Sequence, residues 1–164
     1  MKTTFANAND TLLERAIDNG SAFASTLPGQ TFTANGACLR ITTGDKPVWL
    51  LDILYRFTST TQNLQFWEGG SLDSSTSISL ATSAALNRTV DNPVSAVIEA
   101  IADGVHTGGV PLKSFFAGNA TIILSAALGV LLKPNTQYYL KALGPATTNT
   151  GTLTFIELPA GTFA

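Results

Sequence analysis

The chain has 164 residues, with nine Lys and Arg against eleven Asp and Glu and a single His, so its formal net charge is −2. Charged residues are 12% of the chain, about half of the ~25% usual for soluble domains, while 45% is hydrophobic. Because this balance offers no basic surface to neutralise phosphates, we expect no nucleic-acid partner. The small net charge and the mean hydropathy of +0.22 also exclude a disordered chain.

Signals for disulfides, metals, cofactors and membranes are absent from the sequence. The one cysteine, Cys38, cannot form an internal disulfide, and its place in the apolar-alternating run 37–41 predicts a buried structural thiol. No spacing typical of a metal site or a phosphate cradle occurs, so we expect no metal and no cofactor. The first residues lack a secretory signal, and run 120–132 as a helix would cover only about 20 Å of the ~30 Å hydrocarbon core. We therefore expect no membrane span and synthesis in a reducing compartment.

The first twenty residues differ from the rest of the chain. Thr11 and Glu14 fit the T-x-x-E capping box, and Gly20 suits the position just after a helix. One helical face would carry four apolar residues, Leu12, Leu13, Ala16 and Ile17. The pattern predicts a short helix over about 11–19. The alternative is an extended arm, since nine residues are marginal as an isolated helix.

From residue 30 onward the pattern predicts β-strands. Over residues 49–57 apolar and other side chains alternate, which predicts one core-facing set: Trp49, Leu51, Ile53, Tyr55 and Phe57. Further strand-like runs occur at 64–67, 77–80, 94–101, 120–125, 137–143 and 152–158. We predict an all-β fold, an antiparallel, jelly-roll-like β-sandwich over residues 21–164, preceded by an arm or short helix over 1–20.

Two runs have a second interpretation as helices. Residues 93–102 are rich in alanine, but their alternation and the Asp103-Gly104 turn that follows favour a strand. Residues 120–132 could form one buried helix. Gly129 and the Ile122-Ile123 pair favour two strands instead.

We find no motif that supports catalysis. His106 is the only histidine, so a Ser-His-Asp or Cys-His site would have to use it, and it lies in a loop-like stretch without a nucleophile motif. The acidic residues are scattered singly, so nothing predicts the paired carboxylates of a glycosidase. Five aromatic residues could form a sugar-stacking platform, but their strand spacing favours the core: Trp49, Tyr55, Phe57, Phe66 and Trp67.

Phe115 and Phe116 are a different case. Adjacent residues of a strand point to opposite faces, which would leave one of the two exposed. Residues 108–116 are therefore our candidate for a loop that meets a partner. The alternative is a loose loop that buries one of the two rings.

The order of several segments carries a resemblance. These segments are AIDNGSAF at 16–23, KPVW at 46–49, LQFWEG at 64–69, the Asn87-Arg88 pair, LLKPNTQYYL at 131–140 and GTLTFIE at 151–157. The series resembles a family of small tailed-bacteriophage virion proteins of the capsid decoration, or cement, type, and the likeness covers residues 14–158. Its most specific part is L-K-P-N-T-x-Y-x-L. The family often ends in a Trp-Tyr-Glu cluster where this chain has Phe155-Ile156-Glu157, which leaves the subfamily and the place in the virion open.

The resemblance implies a binding role without catalysis, on the outer surface of a phage head after synthesis in the bacterial cytoplasm. The implied partners are the major capsid protein and further copies of the chain, as a homotrimer. We expect the N-terminal arm to lie along a capsid subunit or a neighbouring copy, since its apolar face has no obvious place in the sandwich. The candidate interface residues are Phe5, Leu12, Leu13, Ile17, Phe115 and Phe116. The alternative function is a receptor- or carbohydrate-binding module of a head or tail fibre.

Overall fold

A computed structural model of the chain describes residues 6–32, 36–57, 62–73, 77–87, 89, 92–117, 121–124, 130–144 and 147–162. These ranges contain one helix, α1 (Ala6–Asp18), and fourteen strands. The strands are β1 (Ala22–Phe32), β2 (Ala37–Thr42), β3 (Val48–Phe57), β4 (Gln62–Glu68), β5 (Ser71–Leu72), β6 (Ser77–Leu80), β7 (Thr82–Ala85), β8 (Val97–Gly104), β9 (His106–Thr107), β10 (Val110–Ala117), β11 (Thr121–Leu124), β12 (Val130–Leu132), β13 (Gln137–Leu143) and β14 (Thr147–Glu157).

The strands form two antiparallel sheets and a small ribbon. Sheet one has the order β11-β3-β14-β1-β7, with β12 also paired to β3. Sheet two has the order β10-β4-β13-β2-β8-β6, and β5 pairs with β9 as a two-stranded ribbon. The predicted all-β, antiparallel sandwich is confirmed.

The pairing pattern is that of a jelly roll. The first strand pairs with the last, and successive pairs nest inside it: β1 with β14, β2 with β13, β3 with β11 and β12, and β4 with β10. The other strands come from an insertion between β4 and β10. This insertion adds β7 to the edge of sheet one, adds β8 and β6 to sheet two, and forms the β5-β9 ribbon.

The main core lies between the two sheets. It is built from buried apolar residues of both inner faces, among them Phe23, Leu39, Ile53, Leu64, Phe66, Tyr138, Leu140, Leu153 and Phe155. The turn before β13 places Asn135 at a positive φ of 52°, a conformation that asparagine tolerates. Tyr138, Leu140 and Ala142 then share the core face of that strand.

The predicted core face of β3 is wrong in part. Ile53 lies in the main core together with Leu50, whereas Trp49 and Leu51 pack on the opposite face of the sheet. The cause is a β-bulge. Opposite Thr154 and Phe155 of β14, the strand places Asp52 and Leu50, so Leu51 is an extra residue that reverses the alternation.

The two ambiguous runs form strands. Residues 97–104 are β8, and the later run forms β11 and β12, as the strand interpretation predicts. The first turn of the helix was predicted wrongly, because α1 begins at Ala6 and places Thr11 inside the helix rather than at its cap. Since residues 6–18 are helical, the extended-arm alternative is also wrong for them.

The C-terminus of α1 is a Schellman motif, as Gly20 predicts. Gly20 has a φ of 72°, and its N–H donates to the carbonyl of Ile17 at 3.0 Å. Ser21 N–H donates to the carbonyl of Ala16 at 2.8 Å. Both bonds satisfy carbonyls that the end of a helix leaves free.

The apolar face of α1 packs on the outer face of sheet one. Ala16 is buried with Ala22 and Ile156, and further apolar residues pack around these three: Leu12, Leu13, Ile17, Trp49, Leu51 and Leu158. The expectation that this face has no place in the sandwich is therefore wrong. Two side chains also bind the end of the helix, since Asn92 Nδ2 donates to the carbonyl of Gly20 at 3.1 Å and Asn87 Nδ2 to that of Asp18 at 3.3 Å. Phe5 lies outside the described residues.

This packing predicts the effect of removing the N-terminal segment. Deletion of residues 1–20 should lower the free energy of unfolding by on the order of 3–5 kcal/mol, because it uncovers Ile156, Trp49 and Leu51. Urea unfolding followed by circular dichroism measures the change. Glu14→Ala, on the exposed side of the same helix, is the control and should unfold like the parent chain. A truncated chain with an unchanged midpoint would contradict the packing role.

Candidate partner-binding surface

The predicted partner loop 108–116 is instead largely a strand. Residues 110–117 form β10, the outermost strand of sheet two, paired only with β4 among the described strands. The backbone register places Phe115 opposite Leu64 and Phe116 opposite Asn63. The side chains of these two phenylalanines lie outside the described part of the structure, so their exposure stays a prediction.

Other apolar side chains of this region are exposed. Val110 is 61% exposed, Val105 53% and Leu112 44%. We call these three residues the exposed apolar segment. Val105 links β8 to β9, and the other two lie on β10.

The β5-β9 ribbon covers the outer face of sheet two beside this segment. In the ribbon, Leu72 pairs with His106, and Asp73 N–H donates to the carbonyl of Val105 at 3.1 Å. Beneath it lies a small second core of buried Ala37, Ile101 and Tyr139, with Trp67 and Leu72 packed against it. The Val105 end of the exposed apolar segment therefore adjoins a packed support.

His106 fastens the ribbon to the sheet. Its ring is 5% exposed, and its centroid lies 4.3 Å from that of Tyr139 and 5.8 Å from that of Trp67. Its Nε2 lies 3.0 Å from the carbonyl oxygen of Gly69. Lys141 adds two contacts, since its Nζ donates to the carbonyl of His106 at 3.3 Å and lies 4.9 Å from the centroid of the Trp67 ring. Strands β4, β9 and β13 and the turn at Gly69 thus meet at one imidazole.

Two glycine pairs allow the backbone turns beside His106 to approach closely. A Cβ at Gly70, where φ is 97°, would lie 2.3 Å from His106 Nε2 and 2.7 Å from the carbonyl oxygen of Thr107. A Cβ at Gly109 would lie 2.6 Å from the carbonyl oxygen of Gly69. Both positions therefore require glycine for space as well as for conformation.

The surroundings of His106 keep it neutral. Burial lowers the pKa of His106 below its usual value and the charge of Lys141 lowers it further, while the hydrogen bond to Gly69 opposes both effects. In the neutral ring, Nε2–H donates to the Gly69 carbonyl. Nδ1 is buried and has no hydrogen-bond partner in the described part of the structure. Among the described side chains, no carboxylate orients this ring as it would in a catalytic triad.

A partly buried ion pair lies further along the same outer face. Arg40 donates to Glu99 through Nε at 2.5 Å and Nη2 at 2.9 Å. The hydrogen bond to Glu99 raises the pKa of Arg40, against the opposing effect of its burial. The pair presents no net charge to a partner.

Glu157 holds the insertion against sheet one. Its Oε1 accepts from the N–H groups of Ser95 and Ala96 at 2.8 and 2.7 Å and from Ser95 Oγ at 2.9 Å. Its Oε2 lies 3.6 Å from Nζ of Lys46 at a shallow cleft of 280 Å³. Because three donors already bind one oxygen of this carboxylate, we interpret it as structural.

The aromatic residues do not form an open stacking platform where their side chains are described. Trp49 packs beside α1, Phe66 is buried in the main core, and Trp67 packs under the ribbon. The side chains of Tyr55 and Phe57 lie outside the description. Cys38 is buried, as predicted, and its Sγ donates to the carbonyl of Leu140 at 3.3 Å.

Two searches of the described ranges found nothing. They contain no group of three or more His, Cys, Asp or Glu side chains placed to hold a metal ion. Their helix is not long and apolar enough to cross a membrane. In comparisons with known proteins, no protein family, no curated protein and no solved structure matches the chain.

The glycine requirement yields a matched pair of substitutions. Gly70→Ala should lower the free energy of unfolding by at least about 2 kcal/mol more than Gly108→Ala, as measured by urea denaturation. Both glycines have a positive φ, but the added Cβ clashes only at Gly70, since its nearest neighbour at Gly108 is 3.8 Å away. Equal losses in the two variants would contradict the close packing of the turn on His106.

The lowered pKa of His106 predicts a pH dependence. The unfolded histidine, with a pKa near ~6.5, binds a proton more readily than the folded one, so the free energy of unfolding should decrease as the pH falls below about 6.5. His106→Phe keeps an aromatic ring and removes the only histidine. As the pH falls from about 7 to the pKa of His106 in the folded parent chain, the free energy of unfolding of the parent should decrease. Over the same range the free energy of unfolding of the variant should stay flat. Parallel profiles for the two proteins would refute a buried, neutral His106.

Proposed function

We propose that this chain is a capsid decoration protein of a tailed bacteriophage, which binds the outer surface of the head and stabilises the shell through protein–protein contacts without catalysis. The phage assignment and the major capsid protein as partner rest on the family resemblance. The observation that carries the binding role is the exposed apolar segment, in which Val105, Val110 and Leu112 expose apolar side chains beside the ribbon that His106 holds.

The charge distribution supports contact with a protein surface. The accessible surface is 8465 Å². The surface area per charged side chain is therefore about twice that of a chain of average composition. Protein interfaces are depleted in charge at their centres. The neutral surface is therefore suited to burial against a shell.

The form of the contact follows from β10. An exposed strand edge normally invites another strand, but Pro111 removes one backbone donor, Lys113 adds a charge, and a bulge occurs between these two residues. These devices oppose strand addition. The shell is therefore contacted through the apolar side chains of the segment rather than through new backbone ladders.

The jelly roll is compatible with this role but does not select it, since the same architecture serves viral capsid proteins and lectins. A glycan-binding module would use exposed aromatic faces. Tyr139 is 1% exposed, and the ribbon and Lys141 contact Trp67. We therefore favour the protein partner over the glycan.

A charge inside the exposed apolar segment should abolish binding. Val110→Asp should weaken binding to phage heads purified without the protein by at least about tenfold, because a carboxylate would be desolvated against the shell. Co-sedimentation with the heads measures it. Leu54→Asp, equally apolar and 41% exposed on the outer face of sheet one, is the matched control and should bind normally. Unchanged binding by Val110→Asp would rule out this surface.

Quantitative mass spectrometry of purified particles tests the role itself. A decoration protein should be present in hundreds of copies per particle. Tens of copies at most, together with specific signals of the purified chain on a glycan array, would replace the proposal by a fibre module.

A further inference from the structure

One lateral side of the sandwich is built entirely by consecutive edge strands. β6 is the outermost strand of sheet two and β7 the outermost strand of sheet one, with only Ala81 between them. Each pairs on one side only among the described strands, β6 with β8 and β7 with β1. We call residues 77–85 the neutral edge.

The neutral edge lacks the protection that β10 has. No charged residue and no proline occurs between Asp73 and Arg88, whereas β10 carries Pro111 and Lys113. Natural sheets protect exposed edges by charge, proline, bulges or very short strands, and of these devices the neutral edge has only the shortness of β6 and β7. The contrast with β10 favours the neutral edge as a surface that is covered in use.

Hydrogen bonds hold the neutral edge to the neighbouring strands of the sandwich, and these bonds fix the position of its solvent-facing side. Ser25 Oγ and Ser83 Oγ lie 2.6 Å apart, and Gln30 Nε2 donates to Ser79 Oγ at 3.1 Å. Ala81 N–H donates to the carbonyl of Ile98 at 2.9 Å. Apolar side chains nevertheless remain in solvent, since Leu80 is 69% and Ile78 40% exposed.

We propose that the neutral edge binds a second copy of this chain, with β6 of one copy pairing antiparallel to β6 of the other about a two-fold axis. A two-fold contact brings the same patch of the two copies together, so charges of one sign on the edge would repel one another across the contact. This edge contains none. A register centred on Ser79 sets Ile78 of each copy opposite Leu80 of the other, which creates two apolar cross-strand pairs on one face.

The inference goes beyond shell binding and does not depend on it. It also differs from the homotrimer that the family resemblance implies. Since β6 has four residues, the contact is smaller than the ~800 Å² per partner of a standard interface, so association should depend on concentration.

Sedimentation velocity over a concentration series tests the association. The parent chain should form dimers, and Leu80→Lys should raise the concentration for half-dimerisation by at least about tenfold, since a lysine replaces an apolar contact. Leu112→Lys, on the protected edge, is the matched control and should dimerise normally. Circular dichroism verifies that both variants fold. A parent chain that stays monomeric at every concentration, a trimer, or equal effects of the two lysines would overturn the proposal.

Cysteine cross-linking tests the register. Opposed residues of an antiparallel pair lie close enough for a disulfide. A mixture of Ile78→Cys and Leu80→Cys proteins should form disulfide-linked dimers under mild oxidation, while each variant alone should form far fewer. Equal cross-linking in the separate variants and the mixture would refute the register centred on Ser79. Neither result depends on binding to heads, so this proposal and the proposed function can fail separately.

Discussion

The pairing of the first strand with the last holds this molecule together. Each nested strand pair of the jelly roll lies within the closure made by β1 and β14, and the ladder joins Ala22 to Ile156 at one end and Phe32 to Thr147 at the other. Other parts of the fold are attached to it. α1 packs where Ala22 meets Ile156, β7 extends the sheet from β1, and Glu157 at the end of β14 holds the segment before β8. Closing so long a loop costs conformational entropy, which the buried core between the sheets must offset.

Local signals predicted the parts of the fold that depend on local chemistry. Gly20 marked the end of the helix because a positive φ is a property of one residue, and β13 was recognised because its turn and its alternation lie within ten residues. The assignment of the alternating residues of β3 to one core face was wrong because a bulge depends on the partner strand, and no residue of β3 indicates the bulge. β1 was largely missed because Pro28 and Gly29 suggest a break, whereas the strand accommodates them as an irregularity between Leu27 and Gln30.

In the candidate surfaces, too, local sequence signals predict some features, whereas others depend on residues that meet only after folding. The stretch 108–116 was selected because Phe115 and Phe116 are adjacent, but the exposure of Val110 and Leu112 is seen only in the folded chain. The support beside it combines Gly70, His106 and Lys141 from three distant parts of the chain. The paired Gly69-Gly70 and Gly108-Gly109 could have suggested two turns in close contact. The lone histidine offered no such signal, since its role depends on Tyr139 and Trp67, which lie beside it only after folding.

The short length of β6 has a consequence for how such a protein would occupy a surface. In the proposed dimer, four residues of strand would provide only a weak contact between free molecules, so dilute chains would be largely monomeric. When two neighbouring copies are held by a shared support at a suitable spacing, the local concentration of the second edge rises by orders of magnitude. Each bound copy would then favour the binding of its one two-fold partner, so the chain would occupy the support in pairs. The weakness of the strand edge would thus make assembly conditional on the support.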